Sequence, residues 1–219
     1  MAKALLISGA GRYSDPWHPF AETSAEVAQI LRDEGHVVEV SEDVEERLAD
    51  LSGVDLLVVN VGNPTRHGLD SPTIAAARDG LIAYRARGGG LLSLHVSAGS
   101  FPNVPEWAEF MGGRWVQGIT MHPDIGEGRI EIIPTEHPVT AGVESFDTID
   151  ERYSYLELAG DVVPLAHHHH DDIWHPMLWA RETAEGGRVV YDALGHNATA
   201  YATPQTRQLI AQAASWIIG

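Results

Sequence analysis

"GGGLLSLHVSAGSF", residues 88–101, joins a glycine-led apolar run to a histidine and then to small residues. A short unbroken apolar run bounded by turn residues is the pattern of a strand buried on both faces, as in a parallel sheet. Its end at His95 has the shape of the strand-to-helix elbow on which many α/β enzymes mount a nucleophile. Imidazole stands here where Ser or Cys is expected. Such a histidine can act as general acid or base, ligate a metal, or donate to a bound hydroxyl or carbonyl. The alternative is a histidine hydrogen-bonded in a crowded turn, with no chemistry.

Upstream of this strand the chain alternates apolar runs with helical patterns, the signature of a parallel sheet with crossover helices. Residues 3–9, 36–40 and 55–60 read as the first three strands and 88–95 as the fourth. The segment 19–34 places Phe20, Val27, Ile30 and Leu31 on one helical face. Ser71 and Pro72 read as the cap and first position of another helix, with Ile74, Ala77, Leu81 and Ile82 inward. Past about residue 113 the rhythm changes. Residues 129–134, 153–158 and 162–166 are strand-like without long helices between them, and 177–181 and 187–196 flank a Glu-Gly-Gly turn. These predict an antiparallel or mixed extension. Thr203 and Pro204 open a last helix that buries Leu209, Ile210, Ala213, Trp216 and Ile217.

A chain of 219 residues suits one α/β domain spanning 1–219. Lys and Arg number 14 against 31 Asp and Glu, a net charge of −17. That field repels phosphate backbones and anionic membranes, which argues against nucleic acid or membrane partners and for a neutral or cationic small molecule. The absence of cysteine excludes disulfides, thiolate metal sites and a Cys nucleophile. "MAKALLISGAG" opens directly on a strand pattern and no apolar run reaches roughly 18 residues, so a cytoplasmic location is expected. A homodimer is the base-rate expectation for assembly.

Ligands of open parallel sheets gather beyond the carboxyl ends of the strands. Tyr13, His18, Asn60, His95 and His196 all fall at such ends. His122 and His137 each sit in a His-Pro loop, and backbone geometry alone explains His137. "DTIDERYSY" brings Asp150, Glu151, Arg152 and Tyr153 to a strand entrance, where a carboxylate can orient an imidazole, take a proton or hold sugar hydroxyls. A solvated charged loop is the bland alternative. "AHHHHDDIWH", 166–175, reads as a loop with at most one or two histidines facing a pocket, and a dedicated metal site is the alternative. Its His167–His170 run suits adventitious metal, with His168, His169 and His170 as ligands, but lacks the spacing of a helical site. Trp17, Trp174 and Trp179 either stack on sugar C–H faces or pack in a core. "GAGR" is too short for a nucleotide fingerprint, and no P-loop lysine is present.

The ordered series "GGGLLSLHVSAGSF", "FMGGRW", "HPDIGEGRIEI", "TEHPVTAGVESFDTIDERYSY", "PMLWARETAEGGRVVYDALGH" and "LIAQAASWI" resembles the ThuA-like (trehalose utilisation) proteins over nearly the whole chain. That family is related in fold to class I glutamine amidotransferases. The resemblance implies a flavodoxin-like three-layer α/β sandwich with a mostly parallel central sheet and a mixed or antiparallel C-terminal extension. It puts His95 in the place of the amidotransferase Cys, His18 after the first strand and His122 in the loop His-Pro. Asp150, Glu151 and Tyr153 match its acidic-aromatic motif, and Trp179 and His196 match its later signatures. Glutaminase chemistry does not carry over, because no thiol can form the acyl intermediate. The short "RYSDPWHPF" loop and the His168–His170 cluster depart from the family pattern.

The family implies a role in sugar catabolism, of trehalose or 3-keto-glycosides. The expected protein is an enzyme acting on a sugar or keto-sugar by proton transfer, with His95, Glu151 and His122 catalytic. Tyr13, Trp17, His18, Asn60, Asp150, Tyr153, Trp179 and His196 are the expected substrate contacts. A divalent transition metal (Zn, Mn, Co or Ni) on His18, His95, His122 and His196 is a candidate cofactor, which also admits metal-dependent hydrolysis. The competing expectation is a non-catalytic sugar-binding or regulatory protein on the same scaffold.

Overall fold

Strands that are apolar along their whole length need cover on both faces, and alternation of strand with helix supplies it. In the computed structural model, which describes residues 1–219, the elements follow in the order β1 (Lys3–Ser8), α1 (Phe20–Asp33), β2 (Val37–Ser41), α2 (Val44–Ala49), β3 (Leu56–Asn60), α3 (Ile74–Ala86), β4 (Gly90–Leu94) and α4 (Pro105–Met111). The second half is strand-rich: β5 (Gly113–Arg114), β6 (Gly126–Ile132), β7 (Phe146–Asp150), β8 (Glu157–Leu158), β9 (Val163–His170), β10 (Ile173–Glu182) and β11 (Arg188–Asp192), closed by α5 (Pro204–Ile218). One nine-stranded sheet runs β2-β1-β3-β4-β11-β10-β9-β6-β7, and β5 pairs with β8 beside it. The strands from β2 to β11 are parallel, and those from β10 to β7 alternate in direction.

Burial follows sheet position. Every residue of β3 and β4 is buried, whereas β7, at the edge, alternates with Phe146, Thr148 and Asp150 inward. Helix α1 packs with α5, and α3 with α2 and α4, so the sheet lies between two helical layers around one core cluster. The loops after β1 and β3 are tied by Glu45, only 4% exposed. Its carboxylate accepts hydrogen bonds from the hydroxyls of Tyr13 (2.7 Å), Ser71 and Thr73, while Arg12 donates to the carbonyls of Gly68 and Asp70.

Several sequence expectations change. Helix α3 starts at Ile74 rather than Pro72, because Ser71 turns back to Glu45 and Thr73 is the cap; Ile82, expected inward, is 38% exposed. Of 153–158 only Glu157–Leu158 is strand. The expected loop at 166–175 is a hairpin: β9 and β10 meet at Asp171 and Asp172, both with positive φ (+50° and +58°), the backbone a two-residue turn of type I′ needs. Thr203 caps α5 by position only, its hydroxyl lying 3.1 Å from that of Thr148, and Trp216 is partly buried against the core.

Candidate active site: four histidines around Glu151

Strand ends place the site. His18 follows β1, His95 follows β4, Glu151 follows β7 and His196 follows β11, while His122 comes from the loop before β6. Their side chains converge on one atom. Glu151 Oε2 lies 3.2 Å from His196 Nδ1, 3.5 Å from His95 Nε2, 3.7 Å from His122 Nε2 and 4.0 Å from His18 Nε2. The ligand-type atoms of His18, His95, Glu151 and His196 all fall within 4.8 Å of one another.

Each imidazole is held from behind. His95 takes a left-handed backbone (φ +43°), a conformation that costs a non-glycine residue about 1–3 kcal/mol and recurs at functional elbows. Its carbonyl accepts the Tyr191 hydroxyl at 2.8 Å, and its Nδ1–H donates to the Ala193 carbonyl at 2.6 Å. The Nε2 lone pair then faces the cluster, 3.1 Å from the Tyr153 hydroxyl, whose ring stacks on the imidazole at 4.4 Å. His18 Nδ1–H sits 2.8 Å from both oxygens of Asp15, and His122 Nδ1–H donates to the Pro123 carbonyl at 2.9 Å. In all three the partner fixes the Nδ1–H tautomer and turns the Nε2 lone pair toward the cluster, the usual preparation of a ligating histidine.

His196 is placed by backbone. Asp150, buried beneath it, accepts the N–H groups of Gly195 (2.7 Å), His196 (3.1 Å) and Glu151 (2.8 Å). Only glycine fits at 195, where φ is +114° and a Cβ would fall 2.3 Å from the Tyr201 hydroxyl oxygen. The buried nitrogens His18 Nε2 and His196 Nδ1 have no hydrogen-bond partner, although both point toward Glu151. Buried polar atoms are nearly always satisfied, so a pair of orphans beside a carboxylate fits a shared cation.

The charges of the cluster follow from burial and from Glu151. Burial holds His18 below the ordinary histidine range, which keeps it neutral as a ligand must be. Burial works against the Glu151 charge, yet contacts with His196 and His95 hold its carboxyl well below the usual range. The same carboxylate raises His196.

Asp192 shapes the last loop. Its Oδ1 accepts the Leu194 N–H at 2.9 Å, opening the turn that delivers His196, while Oδ2 is buried without a partner. Burial pushes this carboxyl up to about 7. An acid with a raised folded pKa destabilises as pH climbs from the unfolded value, near 3.9, to the folded one. Asp192→Asn keeps the turn acceptor and removes the ionisation. It is expected to stabilise by about 2–4 kcal/mol at pH 8 and by little at pH 4, read from urea unfolding at both.

The structure therefore brings together His18, His95, His122, Glu151 and His196, with Asp150 and Tyr153 supporting them. It does not add Tyr13, whose hydroxyl goes to Glu45, or Asn60, whose amide donates to Thr23 and Ser24. Trp17 is 61% exposed under the Arg66 guanidinium. Trp179 is a core residue with 0% exposure, stacked on Tyr191 at 4.2 Å, with its indole N–H on the Met111 carbonyl. His168, His169 and His170 lie on the β9 strand and do not join the cluster. Two participants were missed by sequence reading. Asp15 was legible as the acid three positions before His18, and Trp115, 4.9 Å from the Tyr153 ring centroid, carried no local signal.

A half-parallel sheet sandwiched by helices, with imidazole at the β4 elbow, gives the chain an α/β fold of the glutamine amidotransferase type. A glutamine amidotransferase of Thermotoga maritima shares this fold, with a TM-score of 0.59 at 8% identity over 99% of this chain and 98% of that one. The chain belongs to the ThuA family, whose model, described as trehalose utilisation, matches residues 3–217. ThuA-like proteins of Parabacteroides merdae and Bacteroides uniformis superpose with TM-scores of 0.81 and 0.75 at 18% and 19% identity, over 99% of this chain and 90% and 91% of theirs. No curated protein matches it in sequence. The family description points to carbohydrate metabolism. No helix is long and apolar enough to cross a membrane.

Proposed function

We propose that the protein is an enzyme acting on a sugar or keto-sugar, of trehalose or 3-keto-glycoside type, by imidazole and carboxylate acid–base chemistry with a divalent transition metal. The observation that carries this reading is the Glu151 oxygen surrounded by imidazole nitrogens, two of them buried and unpartnered. His18, His95, Glu151 and His196 would hold Zn, Mn, Co or Ni. A bound divalent ion supplies Lewis acidity that polarises a substrate carbonyl or hydroxyl.

The remaining work falls to the protein's own groups. A keto group acidifies the adjacent C–H, so proton removal there leads to isomerisation or to elimination of an aglycone. His122 is the most exposed of the four histidines, at 36%, and its Nε2 is free to take that proton. The Tyr153 hydroxyl and the Ala193 carbonyl keep the His95 ring in place.

The test is metal content by elemental mass spectrometry on untagged protein prepared without nickel, followed by NMR of a 3-keto-glycoside in D2O. Near-stoichiometric metal and deuterium uptake beside the carbonyl are expected. Metal-free protein that exchanges at full rate removes the metal from the reading, and tight sugar binding without exchange favours a non-catalytic sugar-binding protein.

A further inference from the structure

The loudest stretch of the sequence, His167–His170 with His175, takes no part in the cluster, yet the hairpin gives it a defined place. His168 and His175 are directly paired across β9 and β10 and share one face. That face is inward: His168 is 0% and His175 4% exposed. His167 and His169 lie on the other face against Trp174, at 4.2 Å and 4.9 Å. Period-two alternation thus turns His168 and His175 to one face and His167 and His169 to the other.

Both inward imidazoles end on the backbone of one bend. His168 Nε2–H donates to the Tyr153 carbonyl at 3.1 Å, with the Ser154 hydroxyl 3.2 Å away. His175 Nε2–H donates to the His170 carbonyl at 3.2 Å, which leaves Nδ1 to accept the Tyr155 N–H at 3.2 Å. Between them Ser154 exchanges backbone bonds with Met121 (2.7 Å and 3.1 Å), and the Thr120 hydroxyl donates to the Tyr155 carbonyl at 2.9 Å. Tyr155 itself is left-handed (φ +62°), a strained state that persists only where its surroundings over-determine it. The bend sits two residues beyond Glu151, carries the Tyr153 hydroxyl to His95, and through Met121 adjoins His122.

We propose that His168 and His175 are positioning residues: they clamp the 153–155 bend and so set the aim of Glu151, Tyr153 and His122. The two imidazoles act through backbone, and neither touches the reacting groups. Only the metal readout below rests on the proposed function; the ring resonances do not.

Metal-free protein labelled with 15N reports the His95 and His196 ring resonances, and zinc titration reports affinity. His168→Leu removes the donor and is expected to shift both sets of resonances and to weaken zinc by about tenfold, the lower end of what outer-shell changes cost. His168→Gln places an amide N–H where Nε2–H stood and is expected to restore both readouts, which a purely space-filling role would not do. His167→Ala, on the outer face, is the control and should change neither. Should His168→Leu fail to fold, His175→Ala and its conservative partner His175→Asn carry the same comparison. Ring resonances unchanged in folded His168→Leu or His175→Ala, or unrestored by the conservative variants, overturn the proposal. Wild-type protein that binds no zinc counts against the metal alone, and the resonances still decide the clamp.

Discussion

Glu151→Gln is expected to leave the fold intact, lower divalent-metal affinity by at least about a hundredfold, and abolish sugar turnover. Outer-shell changes at metal sites already cost ten- to hundredfold, and Glu151 is the one charged group within 4.0 Å of all four imidazoles. Glutamine keeps the shape but not the negative charge that draws a cation into a cluster of imidazoles. His196, raised by contact with this carboxylate, should also titrate closer to an ordinary histidine in the variant, seen by NMR. His95→Ala should match Glu151→Gln in lost turnover. The double variant should be scarcely worse, as for groups that act as one unit. Wild-type metal affinity in Glu151→Gln would remove the carboxylate from the site.

Trp179→Ala should cost about 3–5 kcal/mol of stability, the range for truncating a buried aromatic. Its ring is wholly enclosed, stacked on Tyr191, and its N–H satisfies the Met111 carbonyl, which the truncation would leave without that partner. Trp17→Ala, by contrast, should change stability by no more than about 0.5 kcal/mol. Urea unfolding of the two variants separates the tryptophan that packs from the one that faces solvent. Equal, small losses would place Trp179 outside the core.

What could be read in advance follows from the range of the forces involved. His95 was legible because the apolar β4 run stops at it, and Glu151 because an acidic-aromatic cluster stands at the entrance of a strand-like segment, although the strand it actually follows, β7, was not read. The pairing of His18 with Asp15 was within local reach, as an acid three residues upstream. The β9–β10 hairpin was hidden for two reasons. Four consecutive histidines mask the alternation of a strand, and Asp171-Asp172 lacks the glycine that usually marks such a turn. Trp179 was misread as a site residue because an aromatic in a strand looks the same whether its neighbours across the sheet are solvent or Tyr191. Its fate depends on sheet order, which places β11 between β4 and β10, and nothing local encodes that order.

That sheet order also has a temporal side. β4 is synthesised well before its neighbour β11, which spans residues 188–192, so the middle of the sheet is filled by the last strand of the eleven. At roughly 5–20 residues per second, about 5–20 s separate the emergence of His95 from that of His196. Through that interval β4 presents an open edge of unpaired backbone groups, the feature by which nascent chains find wrong partners. The four imidazoles and Glu151 can therefore come together only after β11 has been made. A chain cut in the β10–β11 connection would leave His196 on one piece and Glu151 with the other three histidines on the other.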